Sequence, residues 1–265
     1  MCQNEYVDPT RFLLLVCLGL VIGAYGTLIG SGGGFILVPV LIFLYPEEST
    51  GTITSISLAV VFVNALSGSL AYARQGIIQY RVASLFGVAA LPGSVIGALV
   101  ARNLPRSWFD AVFGVMLIGL TLYLLLGQRP GQHSPVPSSE ISRRTLTIGA
   151  AFSLFVGFLS SVLGIGGGPM HVPMMVRVLK FRFAVAAATS QCALAAMSLV
   201  GTLTHILTGE FETGWRRTGA LSLGVLLGAQ VGARLSRRLG STLLTRLLSG
   251  ALLIIGVRLI SSALF

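Results

Sequence analysis

Ten apolar runs separated by short polar connections make up most of the chain. They cover Phe12 to Ile29, Phe35 to Leu44, Thr52 to Ala73, Val82 to Ala101, Trp108 to Leu126, Leu146 to Leu163, Met170 to Leu179, Phe183 to Thr208, Thr218 to Leu235 and Leu243 to Ile260. Hydrophobic positions within them are continuous rather than alternating with period two, so the predicted element is a helix and not the strand of a membrane barrel. A hydrocarbon layer about 30 Å thick takes around 20 apolar residues per helical crossing, a length that eight of the runs approach. Helices also satisfy their own backbone groups in lipid. Composition agrees: 54% of the 265 residues are hydrophobic and 10% charged, against roughly 25% charged in a soluble domain.

The second and seventh runs are short, and each follows a glycine stretch: Gly30-Ser31-Gly32-Gly33-Gly34 and Gly164-Ile165-Gly166-Gly167-Gly168. Glycine at that density disfavours a continuous helix. The sequence leaves open whether these broken pairs cross fully or meet near the midplane, but either way the chain returns to its starting side. Placing the N-terminus, with Glu5 and Asp8, on the outside then puts twelve basic residues on the cytoplasmic side and six on the outer side. That bias predicts both termini outside. The net charge of +10 would suit nucleic acid, but the basic residues are dispersed in ones, twos and threes and read as topology determinants. Met1 to Arg11 lacks a basic leader, so the first run is expected to be retained as a helix. Cys2, Cys17 and Cys192 are too scattered for a disulfide framework or metal set and are read as packing residues.

Gln128 to Arg144, with Pro130, Pro135 and Pro137, is the one long polar stretch. It divides the chain into a first transmembrane repeat (1–127), a polar cytoplasmic linker (128–144) and a second repeat (145–265). Gly32-Gly33-Gly34 falls on Gly166-Gly167-Gly168 and Pro39 on Pro173 at an offset of 134. Thr54-Ser55 falls on Thr189-Ser190, and Gly93 and Gly97 on Gly228 and Gly232, at an offset of 135. An odd number of reversals per unit makes the copies inverted. The expected fold is an all-α integral membrane protein of two inverted repeats, each of about five helical segments, with roughly eight full spans plus short broken or re-entrant helices.

A glycine interruption at the same place in both halves points to a transporter's binding site. Unwound backbone at Gly30, Ser31, Gly32, Gly33 and Gly34, and at Gly164, Gly166, Gly167 and Gly168, can present N–H groups at a positive helix end. Pro169 suits the first turn of the helix that follows. Hydrogen-bonding candidates inside the spans are Thr54, Ser55, Ser57, Asn64, Thr189, Ser190 and Gln191; the plain alternative is bonding to backbone or to a neighbouring helix. His171 and His205 are candidates for proton coupling, against a structural role for each. Gly93 and Gly97, with Gly224, Gly228 and Gly232, recur every four residues and read as packing seams. All eight carboxylates lie in or at the edge of polar connections. An interior without acids suits an anion better than a cation.

The motifs Gly30-Ser-Gly-Gly-Gly-Phe-Ile-Leu-Val-Pro39 and Gly164-Ile-Gly-Gly-Gly-Pro-Met-His-Val-Pro173 make the chain resemble the sulfite exporter TauE/SafE family of membrane permeases, from Phe12 to Ile260. The resemblance implies outward movement of sulfite, sulfonates or related small anions across the bacterial inner membrane. Ser31, and the lack of a proline after the first glycine run, imply unequal contributions from the halves. The expected partners are a small anionic substrate and the lipid bilayer, with no nucleic acid, and a homo-oligomer is left open. No cofactor, metal or catalytic residue is expected. The alternatives are a passive anion channel and, further off, a non-transporting membrane scaffold.

Overall fold

The computed structural model describes residues 9–102, 104–126, 142–210, 214–236 and 238–264. Residues 128–141 of the predicted linker, and Glu5, Asp8, Glu212 and Arg237, lie outside the described residues. The described elements are helices α1 (Pro9–Ile29), α2 (Gly34–Leu44), α3 (Thr50–Ala73), α4 (Tyr80–Ala101), α5 (Arg106–Leu126), α6 (Arg143–Leu163), α7 (Gly168–Arg177), α8 (Phe183–Leu207), α9 (Trp215–Ser236) and α10 (Ser241–Leu264). Their boundaries have local causes. Ser49 caps α3, its Oγ accepting from the Thr52 N–H at 3.1 Å. Gly30 and Gly164 stop α1 and α6 with φ of 80° and 67°, a conformation that costs glycine nothing.

Among the described residues, seven helices are long and apolar enough to cross a membrane. The short pair is different. With 11 and 10 residues, α2 and α7 extend about 15 to 17 Å each at 1.5 Å per residue, half a hydrocarbon layer. They leave from the middle of the bundle. Gly32 and Gly166 both lie against Val61 and Leu194, which sit near the midpoints of α3 and α8.

Helix pairing follows one pattern twice: α1 packs along α9 as α6 packs along α4, and α3 meets α9 as α8 meets α4. The helices α3 and α8 pack against each other at the centre, while α5 and α10 pair at the side. Glycine makes the long contacts possible. A Cβ on Gly224, Gly228 or Gly232 would run into α1 backbone at Val16, Leu20 and Ala24 respectively. Gly93 and Gly97 meet α6 backbone at Leu154 and Phe158 in the same way, and Gly157 meets Ala90 in return. The predicted seams are therefore backbone-to-backbone contacts between parallel helices of different repeats. Large apolar side chains such as Leu13, Leu14, Val88, Leu227 and Ile254 point away from the bundle, as lipid requires. Cys17 also faces outward on α1, so it is not the packing residue expected from the sequence.

Replacing Gly228 by valine should push α1 off α9 and cost roughly 1 to 3 kcal/mol, the usual range for overpacking. Gly219→Ala, with nothing within 4 Å of the added carbon, should be neutral or slightly stabilising. Thermal unfolding of the two purified variants in one detergent checks the contrast.

Candidate functional site

The two breaks are built from left-handed glycines. Gly30, Gly32 and Gly33 have φ of 80°, 75° and 83°, and Gly164 and Gly166 have φ of 67° each. Gly167 departs from its counterpart Gly33, with φ −71° and ψ 0°. The first break thus makes one more left-handed turn than the second, where Pro169 stands in the first turn of α7.

The breaks lie side by side and run in opposite directions. A Cβ on Gly34 would strike the carbonyls of Gly164 and Ile165, and one on Gly168 would strike Ser31 and the Gly30 carbonyl. No other residue type fits at these four contacts without moving backbone. Val61 from α3 and Leu194 from α8 close over the junction, and both are fully buried.

Buried carbonyls freed by a broken helix need donors. Ser190 Oγ donates to the Gly30 carbonyl at 3.0 Å, and Ser57 Oγ donates to the Gly164 carbonyl at 2.6 Å. The Gly26 carbonyl accepts from the Ser31 N–H at 2.7 Å, from Ser31 Oγ at 3.3 Å and from Gln191 Nε2 at 3.4 Å. Ser57 and Ser190 therefore play one role in the two halves, which corrects the sequence alignment of α3 with α8. The equivalence there runs at an offset of 133, placing Ser57 on Ser190, Val61 on Leu194, Gly68 on Gly201 and Tyr72 on His205. Tyr72 and His205 already showed that spacing in the sequence, whereas the repeated Thr-Ser pair suggested 135.

The remaining predicted residues divide. Thr54 Oγ1 donates to the Thr50 carbonyl at 2.6 Å. Ser55 Oγ donates to the Thr52 carbonyl at 2.8 Å and reaches the Glu210 carbonyl at 3.3 Å. Thr189 Oγ1 accepts from the Gln79 N–H at 3.1 Å. The hydroxyls of these three bind backbone near helix ends rather than the break carbonyls, although Thr54 itself packs against Gly164. Asn64 and Gln191 are brought together at the junction's flank: Asn64 Oδ1 accepts from Thr27 Oγ1 at 3.2 Å, and Gly68 packs between Thr27 and Gln191. Each amide is fully buried and keeps one polar atom without a partner, Asn64 Nδ2 and Gln191 Oε1. The histidines lie apart from that pair. His171 Nε2 and Ser153 Oγ are 3.1 Å apart, with the ring stacked on Phe86 at 6.0 Å between centroids. His205 is buried near the backbone of Ser161 with neither ring nitrogen hydrogen-bonded, whereas Tyr72 donates to the Thr27 carbonyl at 2.8 Å in the other half.

All four described carboxylates, Glu47, Glu48, Asp110 and Glu210, lie at one end of the bundle. There Arg217 meets Glu48 at 2.8 Å, Arg102 meets Glu210 at 3.4 Å and Arg106 meets Asp110 at 3.4 Å. Arg217 and Arg258 also lie over Tyr45 and Phe43 at 4.0 and 4.4 Å. Among the described residues, no group of three or more His, Cys, Asp or Glu could hold a metal.

Residues 15–259 match the family described as Sulfite exporter TauE/SafE. A protein of Bacillus subtilis named "Probable membrane transporter protein YunE" is 31% identical over 96% of this chain and 99% of its own length. A "Probable membrane transporter protein" of Methanocaldococcus jannaschii is 26% identical over 81% of this chain and 79% of its own. No solved structure matches.

Ser57→Ala and Ser190→Ala each strip a donor from a break carbonyl and should lower stability by about 0.6 to 1.7 kcal/mol, the range for hydrogen bonds between membrane helices. Thr54→Val should cost less, because its hydroxyl bonds only its own helix. Denaturation of the purified variants measures the difference.

Proposed function

Because the chain belongs to the sulfite exporter TauE/SafE family and is a membrane transporter of that type, we propose that its cargo is a small oxyanion: sulfite, a sulfonate or a related organosulfur anion. The observation that carries this reading is the meeting of two glycine breaks at the bundle's centre, while the described carboxylates stay at one end. First-turn N–H groups have no acceptor within their helix, and those of Gly34, Phe35 and Gly168 stand at the positive ends of α2 and α7. An anion bound there needs no basic side chain. Asn64 Nδ2 is a donor left unpartnered beside it, whereas the free atom of Gln191, Oε1, accepts and suits only a protonated oxygen of the substrate. The hydroxyls of Ser57 and Ser190 hold the breaks in shape, since their protons are already donated.

Transport in this reading runs by alternating access between repeats 1–127 and 145–265, joined by the linker 128–144. Val61 and Leu194 over the junction favour a carrier over an open channel. Proton coupling falls to His171 and His205, the buried titratable groups on α7 and α8. The protein acts in the bacterial inner membrane, exports its anion, has both termini outside, and catalyses no reaction.

Liposomes loaded with radiolabelled sulfite test the cargo. Gly167→Ala keeps an ordinary backbone conformation and meets side chains rather than backbone, the flexible end of Met197 and a methyl of Val156. The variant should therefore fold with some loss of stability and, per folded protein, lose about tenfold in flux, corresponding to about 1.4 kcal/mol of binding. Undiminished flux in that variant ends the assignment of the site to the glycine breaks, and no flux through the unaltered protein ends the sulfite reading. Orientation is checked in cells with Cys2, Cys17 and Cys192 replaced by serine. A cysteine at Glu47 should react with an impermeant maleimide added outside, and one at Arg74 only after permeabilisation.

A further inference from the structure

The two ends of the bundle are not alike in charge. At the carboxylate end, the side chains of Arg102, Arg106 and Arg217 pair with acids. The opposite end carries Arg74 at the close of α3 and Arg234 and Arg238 at the close of α9, and no described carboxylate lies there. Between these helix ends is a cavity of about 520 Å³ lined by Ala71, Arg74, Gln75, Gln230, Arg234 and Arg238. Among the described residues, none of its three guanidinium groups meets an acid.

The two glutamines fix the floor of this basin. Gln75 Nε2 donates to the Ala233 carbonyl at 3.0 Å, tying α3 to α9. Gln230 Nε2 donates to the Ser67 carbonyl at 3.0 Å and to Ser67 Oγ at 2.9 Å. Ser67 is one turn along α3 from Asn64, so polar groups continue from the basin towards the central breaks. Arg74 and Asn64 are ten positions apart on α3, about 15 Å.

Helix ends and membrane topology attract cations by themselves, but the pseudo-symmetric places argue for more. Leu207 stands where Arg74 would map on α8, and Leu99 where Arg234 would map on α4. The equivalent corner, where α4 and α8 end, instead pairs Arg102 with Glu210, so of the two this one gathers basic charge with no described carboxylate. Ala71 is the one apolar residue in the lining, and the stems of the arginines and glutamines supply the rest of its apolar surface. A cavity ringed by one sign of charge concentrates counter-ions of the other.

We infer that this basin is a docking vestibule where a small divalent oxyanion from the aqueous phase binds among Arg74, Arg234 and Arg238 before passing to the glycine breaks. The assignment rests on reading the chain as an anion permease. Arginine forks match oxyanion geometry, and three of them supply the charge that the central site lacks. An anionic lipid headgroup would present similar chemistry, and the test separates the two.

Sulfate is the probe, titrated calorimetrically into the purified full chain in uncharged detergent. The triple variant Arg74→Gln/Arg234→Gln/Arg238→Gln should bind sulfate about tenfold or more weakly. The triple lysine variant keeps the charge and should stay within about threefold. Arg102→Gln, at the other end, should change nothing. Unchanged sulfate affinity in the glutamine triple, or no sulfate binding by the unaltered protein, overturns the proposal. So does an arginine dependence seen only with phosphatidylglycerol vesicles. Should the triple fail to fold, Arg234→Gln alone carries the comparison. In phosphatidylcholine liposomes the glutamine triple should raise the KM for sulfite about tenfold with kcat little changed. Sulfite transport with a KM indifferent to the three arginines removes the vestibule and leaves the permease standing. Arginine-dependent sulfate binding without any sulfite transport does the reverse.

Discussion

A carbonyl with no partner in hydrocarbon costs several kcal/mol, so a helix that stops in the middle of a membrane must bring its own donors. Here two serine hydroxyls meet that demand, Ser57 at Gly164 and Ser190 at Gly30. Each serine sits on a helix of the repeat opposite to the break it serves. Neither break can therefore hold its shape without the other half of the chain. The breaks then pack on each other through Gly34 and Gly168, where no Cβ is tolerated, and the short helices α2 and α7 leave from there.

The glycine seams set where that junction falls. With Gly224, Gly228 and Gly232 against α1, and Gly93 and Gly97 against α6, the helices that carry the breaks are clamped to fixed levels on α9 and α4. Lipid offers no hydrophobic drive for this association, so close backbone approach must supply it through van der Waals contact. Among the polar atoms left without partners, those of Asn64 and Gln191 lie at the flank of this junction.

Much of this was legible in the sequence. Continuous apolar runs gave the helices, and the doubled glycine stretches gave the breaks, because glycine density is a local signal. The four-residue glycine spacing gave the seams for the same reason. The equivalence of α3 and α8 is less legible, since Thr54-Ser55 and Thr189-Ser190 look alike in one dimension. A two-residue slip turns a helical side chain by about 200°, enough to point Ser55 at Glu210 instead of the junction that Ser57 reaches. The basic basin was hidden for another reason. Arg74 and Arg234 are 160 positions apart, and each alone looks like an ordinary topology signal.

The pairing of α1 with α9 also bears on how the protein is made. Gly19 finds its partner at Leu221, about 200 residues later, which ribosomes take on the order of 10 to 40 s to synthesise. Through that interval α1 has only lipid around the face that α9 will cover. Of the candidate spans it is the most apolar and α9 the least. The helix that must wait is thus the one best able to live alone in the bilayer, and the helix least suited to solitude arrives late, onto a surface already in place.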